Sequence, residues 1–424
     1  MATVAFHTLG CKVNQYETEK IAESFEARGF RQVAFSDKAD VYIINTCTVT
    51  HTADSKSRQM ARAAINRNPD AKVVLTGCYA ETSGDELRGI DGIAAVIGNK
   101  DKASLVDKVV KLLPSEMESV LDGQIRNPKS EIRNTRTRAL LKIQDGCDQF
   151  CTYCAVPLAR SEMWSKPIKE TIAEASNLAN IGYKEIVLTG IRLGRYEDGS
   201  SDMCDLLSEL SLTEGIDRIR LSSIELTDIP DGLPDLLVTN RKICRHLHIP
   251  LQSGDDAVLS RMNRPYTTEE FESFVLHVRK LVPGIGITTD IMTGFPGESI
   301  EEFENSYKFA EKIRFSRSHV FRYSRRARTA AAEMKDNVPA AEKERRSSML
   351  MRLASEYAHE FSRELIGQTV SVLVEGKKIG PNVRSGLTDN YVRVALEASS
   401  SLVGEIVDVL VESVSEDVAH GRII

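Results

Sequence analysis

Three cysteines, Cys147, Cys151 and Cys154, stand in the segment DGCDQFCTYC with C-x3-C-x2-C spacing. Three thiolates on so short a loop can cap one face of a 4Fe-4S cube and leave its fourth iron without a protein ligand. An iron open in that way is available for chemistry, not only for storing an electron. Ferredoxin sites with four cysteines per cluster and zinc sites built from paired C-x2-C turns both differ from this pattern. A zinc site or a chance grouping is the alternative reading. Three further cysteines, Cys11, Cys47 and Cys78, each close an apolar run: VAFHTLGC, VYIINTC and VVLTGC. If those runs are parallel strands of one sheet, their ends share an edge, and the three thiols could converge there as a second cluster site. Three separate core cysteines would give the same pattern. Cys204 and Cys244 have no such company and read as structural.

The elements that must hold these loops follow from periodicity. Residues 4–9, 41–45, 73–76 and 94–97 read as strands, and 17–28, 54–66 and 102–113 carry helical spacing. That alternation is expected of a parallel α/β sheet. Residues 114–138 are polar, broken by Gly123 and Pro128, and read as a linker. Beyond it, apolar strands at 139–143, 185–188, 219–222, 247–249, 286–291 and 319–323 alternate with longer helices. Six such units suit a partial or full (β/α) barrel, whose active site lies at the carboxyl ends of its strands. A charged helix over 340–365 leads to β-rich segments at 369–375, 390–395 and 404–412, consistent with a small terminal β-barrel.

A chain of 424 residues exceeds the roughly 250–300 residues of a single core, so two or three domains are expected. Hydrophobic residues at 42% and charged residues at 27% are globular values. No apolar run approaches the roughly 20 residues that span a bilayer, so no membrane role is expected. The opening residues lack the basic start of a secretory signal, so a cytoplasmic protein is expected. Eight cysteines are too few for a disulfide scaffold of this size, and a reducing compartment keeps them as thiols. The net charge of -6 argues against coating nucleic acid non-specifically, while leaving room for a local basic patch.

With Tyr153 before its last cysteine, the C-x3-C-x2-C loop resembles the signature of the radical S-adenosylmethionine superfamily. In that superfamily the open iron binds the amino and carboxylate groups of the methionine. One electron then cleaves the sulfonium to give a 5'-deoxyadenosyl radical, and the protein supplies ligation and orientation. TLGCKVNQYETE, NTCTVT and TGCYAE, together with that loop, resemble the methylthiotransferase family over essentially the whole chain. The resemblance implies a methylthiotransferase N-terminal domain at 1–113, a radical core at 133–363 and an RNA-engaging TRAM domain at 366–424. It also implies two 4Fe-4S clusters, the second held by Cys11, Cys47 and Cys78, together with S-adenosylmethionine and an external low-potential electron donor. The family's branches modify isopentenylated adenosine in tRNA, threonylcarbamoyladenosine in tRNA, or an aspartate of a ribosomal protein. LGCKVN, HIPLQSG and YSRR look most like the threonylcarbamoyladenosine branch. That branch implies a methylthio group placed at C2 of the adenosine beside the anticodon, at position 37. A non-catalytic iron-sulfur electron carrier is the reading from another class.

Candidate S-adenosylmethionine contacts follow from the same resemblance. They are Tyr153, Thr189 and Gly190, Ser222 and Ser223 with Glu225, and Gly294-Phe295-Pro296-Gly297. Glycine there would let a ligand approach the backbone closely, although Gly and Pro after a strand also mark ordinary turns. No side chain stands out as a catalytic acid or base. The chain also departs from the family's usual wording. Where Arg-Gly and Arg-Ser-Arg are usual, it reads Arg160-Ser161-Glu162-Met163-Trp164-Ser165-Lys166. Where Pro-Tyr-Ser and Arg-Pro-Gly-Thr are usual, it has Arg322-Tyr323-Ser324 and Arg326-Ala327-Arg328-Thr329. Such changes loosen turns and replace guanidinium geometry with a point charge at Lys166, so they bear on affinity and not on cluster ligation.

Arg314, Arg317, Arg322, Arg325, Arg326 and Arg328 lie among Phe315, His319, Phe321 and Tyr323. Interleaving of this kind suits phosphate contacts plus stacking on an unpaired anticodon-loop base, or simply a strand with solvated arginines. Arg126, Lys129, Arg133, Arg136, Arg138 and Lys142 add basic character along the linker. Residues 366–424 carry five basic residues against eight acids, so an RNA role there rests on the resemblance and not on charge.

Overall fold

A computed structural model describes residues 2–114 and 136–424. Most of the expected linker, with Arg126, Lys129, Arg133 and the expected domain start at 133, lies outside the described residues.

The first unit is a five-stranded parallel sheet of β1 (Thr3–Thr8), β2 (Arg31–Val33), β3 (Val41–Thr46), β4 (Lys72–Gly77) and β5 (Ile93–Ile97). Their order is β2-β1-β3-β4-β5. A parallel sheet needs both faces covered, and the alternation of β3 supplies that. Val41 and Ile43 pack toward Phe25 and Ile21 of the helix Lys12–Ala27. Tyr42 and Ile44 pack toward Ala61 and Ala64 of the helix His51–Arg67. β2 is an addition to the sequence reading. Three residues with two exposed polar side chains are too short to show a period.

The second unit holds β6 (Ala139–Lys142), a two-residue pair β7 (Gln144–Asp145) and β8 (Trp164–Ser165), then β9 (Glu185–Thr189), β10 (Arg218–Leu221), β11 (His246–His248), β12 (Gly286–Thr293) and β13 (Arg317–Arg322). β6, β9 and β10 form one parallel sheet, and β11, β12 and β13 form another. Parallel bridges from Ile219 to Ile243 and from Ser223 to His248 join the two. Six strands therefore run in chain order around a partial barrel, with β6 and β13 at its edges. Leu141, Leu188, Ile219, Leu247 and Ile287 belong to one continuous buried core with the surrounding helices.

The helix Ala340–Arg363 leads into β14 (Thr369–Gly380), β15 (Val383–Thr388), β16 (Arg393–Glu397), β17 (Ile406–Ser415) and β18 (Val418–Ile423). These close into a barrel in the order β14-β15-β16-β18-β17. β15 and β18 escape the sequence reading because Gly386 and Gly421 interrupt their apolar pattern. Both glycines are crowded by neighbouring strands, so the closed barrel itself requires them. Among the described residues no helix is long and apolar enough to cross a membrane.

Two arginines of β10 fasten this barrel to the second unit. Arg220 is fully buried, pairs with Glu185 at 2.7 Å and donates to the carbonyls of Thr388 and Asp389, each at 2.9 Å. Arg218 donates to the carbonyls of Leu387 at 3.0 Å and Ser371 at 2.6 Å. Burial alone would raise the Glu185 carboxyl, but Arg220 beside it holds it below the usual range. Arg220→Ala leaves buried Glu185 with Arg218, 3.6 Å away, as its remaining ion pair and should cost about 3 kcal/mol. Chemical denaturation measures this, and limited proteolysis should show earlier release of the C-terminal barrel than in wild type.

Candidate active site at two cysteine groups

Parallel pairing puts the ends of β1, β3 and β4 level, with Thr8 beside Asn45 and Asn45 beside Thr76. The next residues on that edge carry Cys11, Cys47 and Cys78. Gly10 has φ +99°, and a side chain there would stand 2.7 Å from Cys47 Sγ, so only glycine lets the Cys11 turn approach Cys47. Asn14 locks the edge by donating to the carbonyls of Leu9 at 2.8 Å and Thr46 at 2.9 Å. Cys47 and Cys78 are buried, while Cys11 keeps solvent access. Burial and the neighbouring cysteines push the Cys11 and Cys47 thiols up, Cys47 to about 12, against the N–H of Val49 that donates to Cys47 Sγ at 3.5 Å. Both shifts disfavour the thiolate, and a bound metal or a nearby cation would act against them.

The other three cysteines sit between β7 and β8. Gly146 has φ +83°, and a Cβ there would strike the Glu162 carbonyl oxygen, so glycine lets the loop's two ends cross. The Cys147 N–H donates to the Arg160 carbonyl at 3.0 Å and closes it. Backbone N–H groups of Gln149 and Val156 donate to Cys147 Sγ and Cys154 Sγ, both at 3.4 Å. Thr152 is fixed to the carbonyls of Met262 at 3.0 Å and Arg261 at 2.9 Å. Burial drives Cys154 up to about 12, with Cys151 and Cys147 adding to it. Arg264 donates to Cys151 Sγ at 3.4 Å and pairs with Glu225, and Tyr153 lies within electrostatic reach of all three.

A buried charge network joins the two groups. Arg160 donates to Cys78 Sγ at 3.3 Å, grips both oxygens of Glu17 at 2.8 Å, meets Asp145 at 2.8 Å and reaches Asn14 at 3.0 Å. Lys142 bonds Glu17 at 2.7 Å and Asp145 at 2.6 Å, and Lys102 also bonds Glu17. Three cations against two carboxylates leave one positive charge beside the thiols. The sequence reading does not contain Glu17, Arg160 and Arg264 as site residues. Glu17 does leave a trace there, being a charge on the buried stripe of its helix with Asn14 and Ile21. Arg160 appears there only as the arginine that opens the segment departing from the family's wording, and Arg264 leaves no trace.

Of the expected cofactor contacts, Tyr153 lies in the cysteine loop and the others end or follow β9, β10 and β12. Thr189 ends β9, and Ser222 follows β10, its buried hydroxyl without a hydrogen-bond partner among the described residues. Gln252 Oε1 and Thr293 Oγ1, further round the same rim, are buried and unpaired in the same way. Ser223 bridges to His248, and Glu225 is taken by Arg264. The close approach expected of a ligand at two glycines is made by the protein instead. A Cβ at Gly190 would meet the Gln144 side chain at 3.0 Å, and Lys343 fills the space beside Gly294. Phe295 is fully buried against Met262 and Tyr323, and Pro296 follows it in the same turn.

The arginine-rich stretch is less free than its sequence suggests. Arg326 is buried and pairs with Asp54 at 2.6 Å, so it is not available to a phosphate. Arg314 pairs with Glu360, Arg322 with Glu344, and Arg317 lies 4.0 Å from Asp417. Phe315 and Tyr323 are buried and cannot stack on a base, whereas His319 and Phe321 are exposed. Among the unusual positions, Lys166 is buried, bonding the Tyr16 hydroxyl at 2.9 Å and the Glu174 carboxylate. Ser161 and Trp164 are exposed on the cysteine loop, and Ala327 lines a cavity beside it.

Comparison with known proteins fits this arrangement. Residues 3–98 match the uncharacterized protein family UPF0004, residues 141–310 the radical SAM superfamily and residues 363–424 the TRAM domain. The chain is 42% identical to the threonylcarbamoyladenosine tRNA methylthiotransferase MtaB of Bacillus subtilis, over 96% of this chain and 93% of that one. The chain belongs to the radical S-adenosylmethionine methylthiotransferase family. A tRNA-2-methylthio-N(6)-dimethylallyladenosine synthase of Endomicrobium trichonymphae is 32% identical over 98% of this chain and 99% of that one. Among solved structures, the radical S-adenosylmethionine methyltransferase TsrM of Kitasatospora setae shares the fold, with TM-score 0.57 and 16% identity over 78% of this chain and 77% of that one.

Membership of the radical SAM superfamily implies one 4Fe-4S cluster and S-adenosylmethionine. The residues present fit both. Two of the loop thiols already accept backbone N–H groups and a third accepts Arg264. The unpaired Ser222, Gln252 and Thr293 oxygens offer hydrogen bonds to a polar ligand at the barrel mouth. Among the described residues no three His, Cys, Asp or Glu side chains converge on a point that would hold a single metal ion. A cube distributes its thiolates over different irons, so it does not need such convergence.

The network makes a pH prediction. Burial alone would raise Glu17, but Lys102, Arg160 and Lys142 together hold its carboxyl well below the usual range. Its stabilisation should be complete above the unfolded value of about 4.3 and be lost as pH falls toward the lower folded value. Glu17→Gln should therefore be less stable than wild type at pH 7, with the gap narrowing under acid. Urea denaturation at a series of pH values measures this, and a gap independent of pH would contradict the assignment.

Proposed function

We propose that this chain attaches a methylthio group to C2 of N6-threonylcarbamoyladenosine at position 37 of tRNA. The observation that carries the reading is the pair of cysteine groups joined through Arg160, in a chain 42% identical over nearly its full length to a relative named for that reaction. The lower identity, 32%, to a relative named for dimethylallyladenosine favours this branch over the isopentenyl one. We take the domains as 1–113, 133–363 and 366–424, and the protein as a cytoplasmic one that receives electrons from an external low-potential donor.

On this reading Cys147, Cys151 and Cys154 hold the cluster that works with S-adenosylmethionine, and Cys11, Cys47 and Cys78 hold a second 4Fe-4S cluster. When bound, these groups supply one-electron cleavage of S-adenosylmethionine and a site for sulfur. The chain's own residues orient and insulate. Arg264 donates to Cys151 while pairing with Glu225, fixing a positive charge beside the thiolate. Arg160 does the same at Cys78 and, through Asp145, ties that edge to the start of the other cysteine loop. Tyr153, Thr189, Gly190, Ser222, Ser223, Glu225, Gly294, Phe295 and Pro296 form the rim that would hold S-adenosylmethionine. The tRNA anticodon loop is the partner.

Mass spectrometry of tRNA nucleosides from a deletion strain tests the substrate. Loss of 2-methylthio-N6-threonylcarbamoyladenosine is expected, and its persistence would sink the reading. Altered isopentenyladenosine, or an unmodified aspartate in a ribosomal protein, would point to the other branches. In the reconstituted protein, Cys151→Ala should reduce 5'-deoxyadenosine formation to background. Cys47→Ala should keep that cleavage and lose methylthiolation, and an iron-sulfur carrier without catalysis would show neither activity in wild type.

A further inference from the structure

After β13 the chain turns through residues 325–328, which wall a cavity of about 530 Å³. That size suits a small ligand group. Thr48, Tyr79 and Ala155 line the same cavity, and each directly follows a cysteine: Cys47, Cys78 and Cys154. The cavity therefore abuts both cysteine groups.

Its charges are not all balanced. Arg58, Arg325, Arg326 and Arg328 face Asp54, Glu86 and Glu333, four cations against three acids. Arg58 is occupied by Glu86 at 3.2 Å and by the Tyr79 hydroxyl, and Arg326 by Asp54 and Thr48, both at 2.6 Å. Among the described residues Arg325 makes no hydrogen bond or ion pair, and Arg328 donates only to the Thr82 carbonyl, at 3.1 Å. Arg326 Nε is buried on this wall without an acceptor among those residues. Arg328 also has φ +68°, a left-handed backbone that glycine adopts freely and arginine adopts at a cost. The fold thus tolerates strain to keep a guanidinium at this wall.

We propose that Arg325 and Arg328 bind the carboxylate of the threonylcarbamoyl group. This rests on the function proposed above. Guanidinium and carboxylate pair through two parallel hydrogen bonds, a geometry that an apolar isopentenyl substituent could not use. A phosphate of the tRNA backbone offers the same anionic oxygens, so the test must separate the two sources.

Full-length reconstituted protein is titrated with one tRNA carrying either threonylcarbamoyladenosine or plain adenosine at position 37. Wild type should bind the modified tRNA more tightly. Arg325→Ala and Arg328→Gly should each weaken binding of the modified tRNA about 10- to 100-fold and leave the plain one unchanged. Arg328→Gly should at the same time raise the melting temperature, because glycine relieves the left-handed strain, so its lost affinity cannot come from unfolding. Equal weakening on both tRNAs would identify a phosphate contact and overturn the proposal. An undiminished preference in both variants would overturn it as well, while wild type still converting the modified tRNA would leave the function standing. Failure of wild type to convert that tRNA would instead sink the function, and this subsite with it.

Discussion

One buried carboxylate, Glu17, holds three cations from three different parts of the chain: Lys102, Lys142 and Arg160. Lys102 belongs to the first unit, Lys142 ends β6, and Arg160 closes the loop of Cys147, Cys151 and Cys154. None of these ions could be buried alone, since removing an isolated charge from water costs several kcal/mol. Each therefore fixes the place of the others. Relative position of the two cysteine groups is set by this shared charge more than by apolar contact, for among the described residues only Tyr16, Leu140 and Val187 form a buried apolar cluster at that junction.

The same logic recurs at the second junction. Arg218 and Arg220 leave β10 carrying charge into the interior, with Glu185 beneath them and carbonyls of the C-terminal barrel as further acceptors. Tyr391 closes the contact by stacking on His246, with ring centroids 4.4 Å apart. Directional polar contacts at both junctions fix orientation in a way that greasy surfaces would not.

Much of this was legible in the sequence because the informative residues are close together or periodic. C-x3-C-x2-C is local, and the strands that end at Cys11, Cys47 and Cys78 are continuous apolar runs of a fully covered sheet. Partners such as Glu17 and Arg160, or Arg264 and Cys151, are more than a hundred residues apart, and no local pattern pairs them. Arginine composition misled for the same reason. Arg326 looks like its neighbours in sequence, and only the fold brings Asp54 to neutralise it. The glycines at 190 and 294 were legible as tight places but not as to what crowds them, because Gln144 and Lys343 come from elsewhere in the chain.

The barrel has six strands where a complete one has eight, and among the described residues β6 and β13 do not pair with each other. A finished barrel is packed solid and can be reached only from its end. An unfinished one leaves an edge strand free to receive another unit, and the helix Lys12–Ala27 lies against β6 there, which is how Tyr16 reaches Leu140 and Glu17 reaches Lys142.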